Sequence, residues 1–179
     1  MLTEIEKWKC LEIVRSTISK ELGLIDQIIP CPELPIFSNN FGLFVTLKVK
    51  EQLRGCIGYV QAIKNLYQSL VDLASAAAFH DHRFPSLTIT EINGLKIEVS
   101  ILSNLIRVYN LDEIHIGRDG IFIHHPGGSG LLLPQVATQH NWDKSKFVQE
   151  TCRKAGLDIC LLNSPSTVLY RFEADVFCE

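Results

Sequence analysis

The 179-residue sequence lacks the features that would assign its chemistry at sight. It has six cysteines, at 10, 31, 56, 152, 160 and 178, and no pair is spaced as CxxC. This removes support for a zinc ribbon or a thioredoxin-type dithiol. No run approaches the ~18 uncharged apolar residues that a membrane span requires. The N-terminus, MLTEIEKWKCLEIV, carries charges throughout and has no apolar core of a signal peptide. A P-loop, a nucleophile elbow, an internal repeat and low-complexity tracts are likewise missing. Charge of one sign is not in excess either, with 17 basic against 20 acidic residues and a net charge of -3. Such a balance opposes a general nucleic-acid or membrane-surface binder. The expectation is a reduced, cytosolic protein whose cysteines are mostly small core residues.

What is present describes one ordinary domain. Apolar residues make up 46% and charged residues 21%. Thr3 followed by Glu6 predicts a capped helix with an apolar stripe of Ile5, Trp8, Leu11, Val14, Ile18 and Leu22, stopped at Gly23. Prolines 30, 32 and 35 predict an extended loop. Residues 43–50 and 53–60 read as two strands of a hairpin. Asn65 to about His80 reads as a helix buried through Leu66, Leu70, Leu73 and Ala77. Leu95 to Leu102 alternates as a clean strand. Residues 114–125 predict a hairpin turning at Arg118-Asp119-Gly120. Pro126 to Gly130 predicts a turn, and Leu131 to Leu133 a returning strand. Helices are expected from Pro134 and, capped by Asp143, up to Gly156. Residues 168–177 predict one last strand. Interleaved helices and hairpins give an α+β class with a mixed or antiparallel sheet.

Two segments could carry chemistry. In Leu53-Arg54-Gly55-Cys56-Ile57-Gly58, two glycines interrupt a strand. Alternation puts Arg54, Cys56 and Gly58 on one face, where a guanidinium would favour a nucleophilic thiolate. Gly55 and Gly58 would admit a ligand close to the backbone. The bland alternative is a buried cysteine beside glycines that make room for the alanine-rich helix. The second segment is His80-Asp81-His82-Arg83-Phe84-Pro85, either an acid–base or metal-binding group or a polar helix end. No third or fourth ligand is spaced to complete a metal site, so metal binding is disfavoured but left open, and no cofactor is predicted. The glycines at 127–130 fit a hairpin turn better than a phosphate cradle.

The hexapeptide Leu53–Gly58 resembles the signature of the AMMECR-domain family. The likeness extends to Phe44–Leu47, Ala78-Phe79, Asp81, Arg83-Phe84, Leu87, Leu95–Leu102 and Gly130–Ala137. Trp142-Asp143, Phe147, Cys152, Lys154–Gly156 and Tyr170–Phe172 also fit. His82 and Gln139 stand where that family's pattern has Pro and Glu. The resemblance implies a single α+β domain of a larger and a smaller lobe around a cleft. It also implies company with a Memo-like protein and a radical SAM protein, and names no reaction. Two functional expectations follow. One is a small-molecule-binding protein or enzyme with Cys56 as nucleophile, Arg54 as its charge partner, and Gly55, Gly58, Asp81, His82, Arg83 and Phe84 lining the ligand site. The other is an adaptor module without catalysis of its own.

Overall fold

A computed structural model describes residues 1–179, apart from the Asn163 side chain. The chain divides into two compact units, residues 1–102 with 175–179, and residues 103–174. The class is α+β, and both sheets are antiparallel in every pairing resolved strand by strand.

The first unit holds α1 (Glu4–Glu21), β1 (Gly42–Val49), β2 (Gln52–Tyr59), α2 (Leu66–Phe79), β3 (Leu95–Leu102) and most of a late strand described below. Thr3 and Glu6 form the expected reciprocal cap of α1. The buried face of α1 differs from the expected stripe. Cys10, Leu11, Ile13, Val14, Thr17 and Ile18 are buried, whereas Ile5 and Trp8 are 68% and 54% exposed. Two apolar stripes overlap on this helix, and the denser one wins. Thr17 is tolerated inside because its hydroxyl donates to the Ile13 carbonyl at 2.8 Å.

The β1–β2 hairpin turns at Lys50 and Glu51, both in the left-handed region at φ 52° and 63°. That is the type I′ geometry that matches strand twist, here built without glycine or asparagine. Leu43, Val45 and Leu47 of β1 and Ile97 and Val99 of β3 are fully buried on the face that meets the helices. Asn65 caps α2 by accepting from the Gln68 amide at 2.9 Å.

The second unit contains β4 (Ile106–Val108), β5 (Gly120–His125), β6 (Gly128–Leu132), α3 (Pro134–Gln139), α4 (Lys144–Lys154) and β7 (Val168–Phe172). Its sheet runs β4-β7-β5-β6, with α3 and α4 against β5 and β6. Asp143 caps α4 as expected, accepting from Lys146 N at 2.7 Å.

Two expectations fail in this region. No hairpin turns at residues 118–120; Gly120 instead opens β5, and the Phe172 ring occupies the space a Cβ would need. The real hairpin is β5–β6, pairing His125 with Gly128. Residues 168–177 are not one strand. Glu173 separates β7 from β8 (Ala174–Cys178), and the two join different sheets, β8 lying beside β3 in the order β2-β1-β3-β8. Among the described residues, no helix is long and apolar enough to cross a membrane.

Candidate functional site

β2 is an edge strand, so half of its backbone groups point away from the sheet. Cys56 is paired with Thr46 of β1, and its amide and carbonyl both face outward. Asp81 and Arg83 meet them there. The Cys56 amide donates to Asp81 Oδ2 at 2.9 Å. Arg83 Nη2 donates to the Cys56 carbonyl at 2.7 Å. The two side chains are joined to each other, with Arg83 Nε and Nη2 at 2.9 and 2.7 Å from the two Asp81 oxygens. Together they mimic a neighbouring strand over one residue. Asp81 is only 5% exposed. The Arg83 hydrogen bonds hold its carboxyl far below the usual carboxylate range, against the cost of burial. The Arg83 proton is held more tightly than usual, chiefly by Asp81, with the Cys56 side chain adding to the effect.

Arg54 does not serve Cys56. The β1–β2 register shifts between Leu47 and Lys48, making Arg54 the extra residue of a bulge. A bulge breaks alternation and re-aims its side chain. Arg54 Nε and Nη2 bind the Glu91 carboxylate at 2.7 and 3.2 Å, while its remaining donors take the carbonyls of Pro85 and Ser86. Glu91 also closes a capping box with Thr88 at the start of the 3-10 helix Ile89–Gly94. It was missed in the sequence, although Thr88-x-x-Glu91 is the pattern that announces such a cap. Arg54 and Thr88 push the Glu91 carboxyl down to about 2.

This sets an acid limb of stability. A carboxyl lowered on folding contributes fully above its ordinary value and loses that contribution as pH falls through the folded value. Stability should therefore decline from about pH 4.5 towards about 2 as Glu91 protonates. Glu91→Gln should flatten that part of the curve, in urea unfolding followed against pH.

The two glycines are explained by packing. A Cβ on Gly55 would fall 2.0 Å from the Ala77 carbonyl oxygen of α2, and one on Gly58 would fall 2.2 Å from the Phe44 ring. The space beside each is filled by the protein itself. His82 is exposed at the turn and joins none of these bonds. Phe84 lies under the Arg83 guanidinium at 5.5 Å. Asp81, expected either in a polar wall beside His82 or paired with Arg83, is saturated by Arg83 and the Cys56 amide.

The Cys56 thiol itself is half-buried on the sheet face opposite the helices. Its sulfur is 3.2 Å from Thr46 Oγ1. Thr46 is in turn the register partner of Glu98, whose carboxylate binds Lys48 Nζ at 2.9 Å. Ser100, on the same face, is fully buried, and its hydroxyl has no hydrogen-bond partner among the described residues. The sequence thus brings its two singled-out segments together, but with Arg83 at Cys56 and Arg54 elsewhere. Register alone places Thr46 beside Cys56, and Glu98 beside Thr46.

The family profile described as AMMECR1 matches residues 11–177. A Methanothermobacter thermautotrophicus protein is 40% identical over 167 residues, covering 90% of this chain and 84% of its own. The protein MK0488 of Methanopyrus kandleri is 43% identical over 178 residues, covering 94% and 86%. The crystal structure of the uncharacterized protein PH0010 from Pyrococcus horikoshii superposes with a TM-score of 0.86 at 33% identity, over 96% of this chain and 90% of that one. With an interlocked hexapeptide and Asp-x-Arg-Phe turn inside a match of that extent, the chain belongs to the AMMECR1 family.

Proposed function

We propose that this protein binds a small molecule through Cys56 and uses the thiol as a nucleophile or attachment point, inside the cell. The observation that carries this reading is the clamp on the Cys56 backbone. It holds the residue fixed from the edge side, so the thiol stands beside the Thr46 hydroxyl on a polar sheet face. Arg83, rather than Arg54, is the charge partner of the sulfur in this reading, while Arg54, Gly55, Gly58 and Phe84 build the support. The exposed thiols of Cys31, Cys160 and Cys178 favour a reducing compartment.

Alkylation with iodoacetamide tests it. In a variant with Cys31, Cys160 and Cys178 changed to Ser, Cys56 should label in the folded protein. Cys10 and Cys152 should label only after denaturation, because burial raises both thiols, Cys10 up to about 12. Arg83→Gln should slow the Cys56 reaction several-fold. A second reading, a docking module for a Memo-like or radical SAM partner, draws on the exposed Ile5 and Trp8 of α1. A groove of about 490 Å³, lined in part by Trp8, Leu11 and Phe177, runs beside them. A Cys56 that stays inert until the chain unfolds would favour that reading and overturn the first.

A further inference from the structure

The net charge of the whole chain hides a difference between its units. Residues 103–174 hold seven basic and seven acidic side chains, so the -3 resides wholly in the other unit. The acidic balance therefore says nothing against an anionic partner for the second unit.

The sheet of that unit has α3 and α4 on the face formed by Ile121, Ile123 and Leu169. Its opposite face is paved with rings. Tyr170 of β7 is the register partner of Phe122 of β5, on the two central strands. Their centroids lie 6.0 Å apart with planes 24° from parallel. His124, two residues along β5, continues the row at 6.3 Å and 29° from Phe122. Its Nδ1 is 2.8 Å from Ser129 Oγ of β6. On the other side, Arg107 of β4 is the register partner of Tyr170. Its guanidinium lies 5.0 Å from the ring of Tyr109, which is 80% exposed. Phe122 and Tyr170 are half-buried, and Arg107, His124 and Ser129 are exposed. Buried Leu131 and Phe172 bound the strip.

We infer that this face binds single-stranded nucleic acid by stacking unpaired bases on Tyr170, Phe122 and His124. The rings stack near parallel in a row that begins on adjacent central strands, where an inserted base could continue the stack, and helices fill the opposite face. Arg107 supplies a cation at the rim for a phosphate, and Ser129 with His124 supplies hydrogen bonds to base edges. Duplex is excluded because its bases are already stacked. This site shares no residue with the Cys56 face and stands independently of it.

Fluorescence anisotropy with a labelled 12-mer of single-stranded RNA, the same sequence as DNA, and its duplex is the test. The single strands should bind and the duplex should not. With one arginine at the rim, the log–log salt slope should be shallow, about -0.7 per phosphate neutralised. Phe122→Leu should weaken binding roughly 5- to 100-fold, the loss of one stacked base, with folding checked by circular dichroism. His124→Ala, at an exposed position, should weaken it in the same direction if Phe122→Leu disturbs the sheet. Arg107→Gln should flatten the salt slope. No single-strand binding at 50 mM salt overturns the inference. So does equal affinity for duplex, or competition by a mononucleotide as strong as by the 12-mer.

Discussion

Asp81→Ala should cost about 3 kcal/mol of stability, a fall in Tm of roughly 6–12 °C for a chain of this size. The carboxylate is 4% exposed and accepts four hydrogen bonds, from the Cys56 amide, the Arg83 amide and two guanidinium nitrogens. Its removal strands an outward amide of an edge strand and leaves Arg83 without its counter-charge. The cost stays at the lower end for a broken ion pair because Arg83 is 57% exposed and can turn to water. Asp81→Asn should be nearly as harmful, since its amide nitrogen would face guanidinium donors. Arg83→Ala should cost about as much, roughly 3 kcal/mol, because the 4% exposed Asp81 carboxylate loses its counter-charge and keeps only the Cys56 and Arg83 backbone amides. Urea midpoints of the three variants give these losses directly. An Arg83→Ala variant as stable as the wild type would show that the buried carboxylate does not depend on the guanidinium.

Gly55→Ala should cost about 3 kcal/mol or more, the upper range for overpacking. The new Cβ would meet the Ala77 carbonyl oxygen at 2.0 Å and its carbon at 3.0 Å. Both are backbone atoms of α2, so no side chain can swing aside. Either β2 or α2 must shift, and both border the main core of the first unit. Gly58→Ala meets the Phe44 ring at 2.2 Å and also the Leu43 carbonyl oxygen at 2.5 Å, so the ring can give way but the backbone contact remains, and the cost should be about 2 kcal/mol. Thermal unfolding should rank wild type above Gly58→Ala above Gly55→Ala. The reverse order would mean that the helix yields more readily than the Phe44 ring and the Leu43 backbone.

These glycines show where the sequence speaks and where it stops. Their presence in a strand signals a close approach, but only the fold shows that the neighbours are Ala77 and Phe44 rather than a ligand. Local patterns were readable: the Thr3–Glu6 box, the Asn65 and Asp143 caps, and the alternation of Leu95–Leu102 all depend on residues within one or two turns. The face of α1 was not, because two stripes compete and tertiary packing chooses between them. Gly120 looked like a turn residue because a glycine after Arg118-Asp119 satisfies turn chemistry. In the fold it yields space to Phe172, a residue from the far end of its unit. The break at Glu173 was hidden because both flanking strands alternate in phase.

The same holds for the candidate site. Both segments were recognisable, and both came together. Which arginine serves which partner depended on the bulge at Arg54, and a period-2 reading cannot register one extra residue. Thr46 became the neighbour of Cys56, and Glu98 that of Thr46, through strand register, which no local pattern encodes.

The most direct test is the hydrogen-exchange rate of the Cys56 amide in the folded protein, measured by NMR. An outward amide on an edge strand has no backbone acceptor and exchanges rapidly unless something else binds it. If Asp81 clamps it, as the 2.9 Å hydrogen bond indicates, the Cys56 amide should be protected to the level of amides paired inside the sheet. That protection should vanish in Asp81→Ala under conditions where the neighbouring β1 amides stay protected. A Cys56 amide that exchanges in the wild type as fast as a solvent-exposed one would contradict the clamp, and with it the account of how this thiol is held.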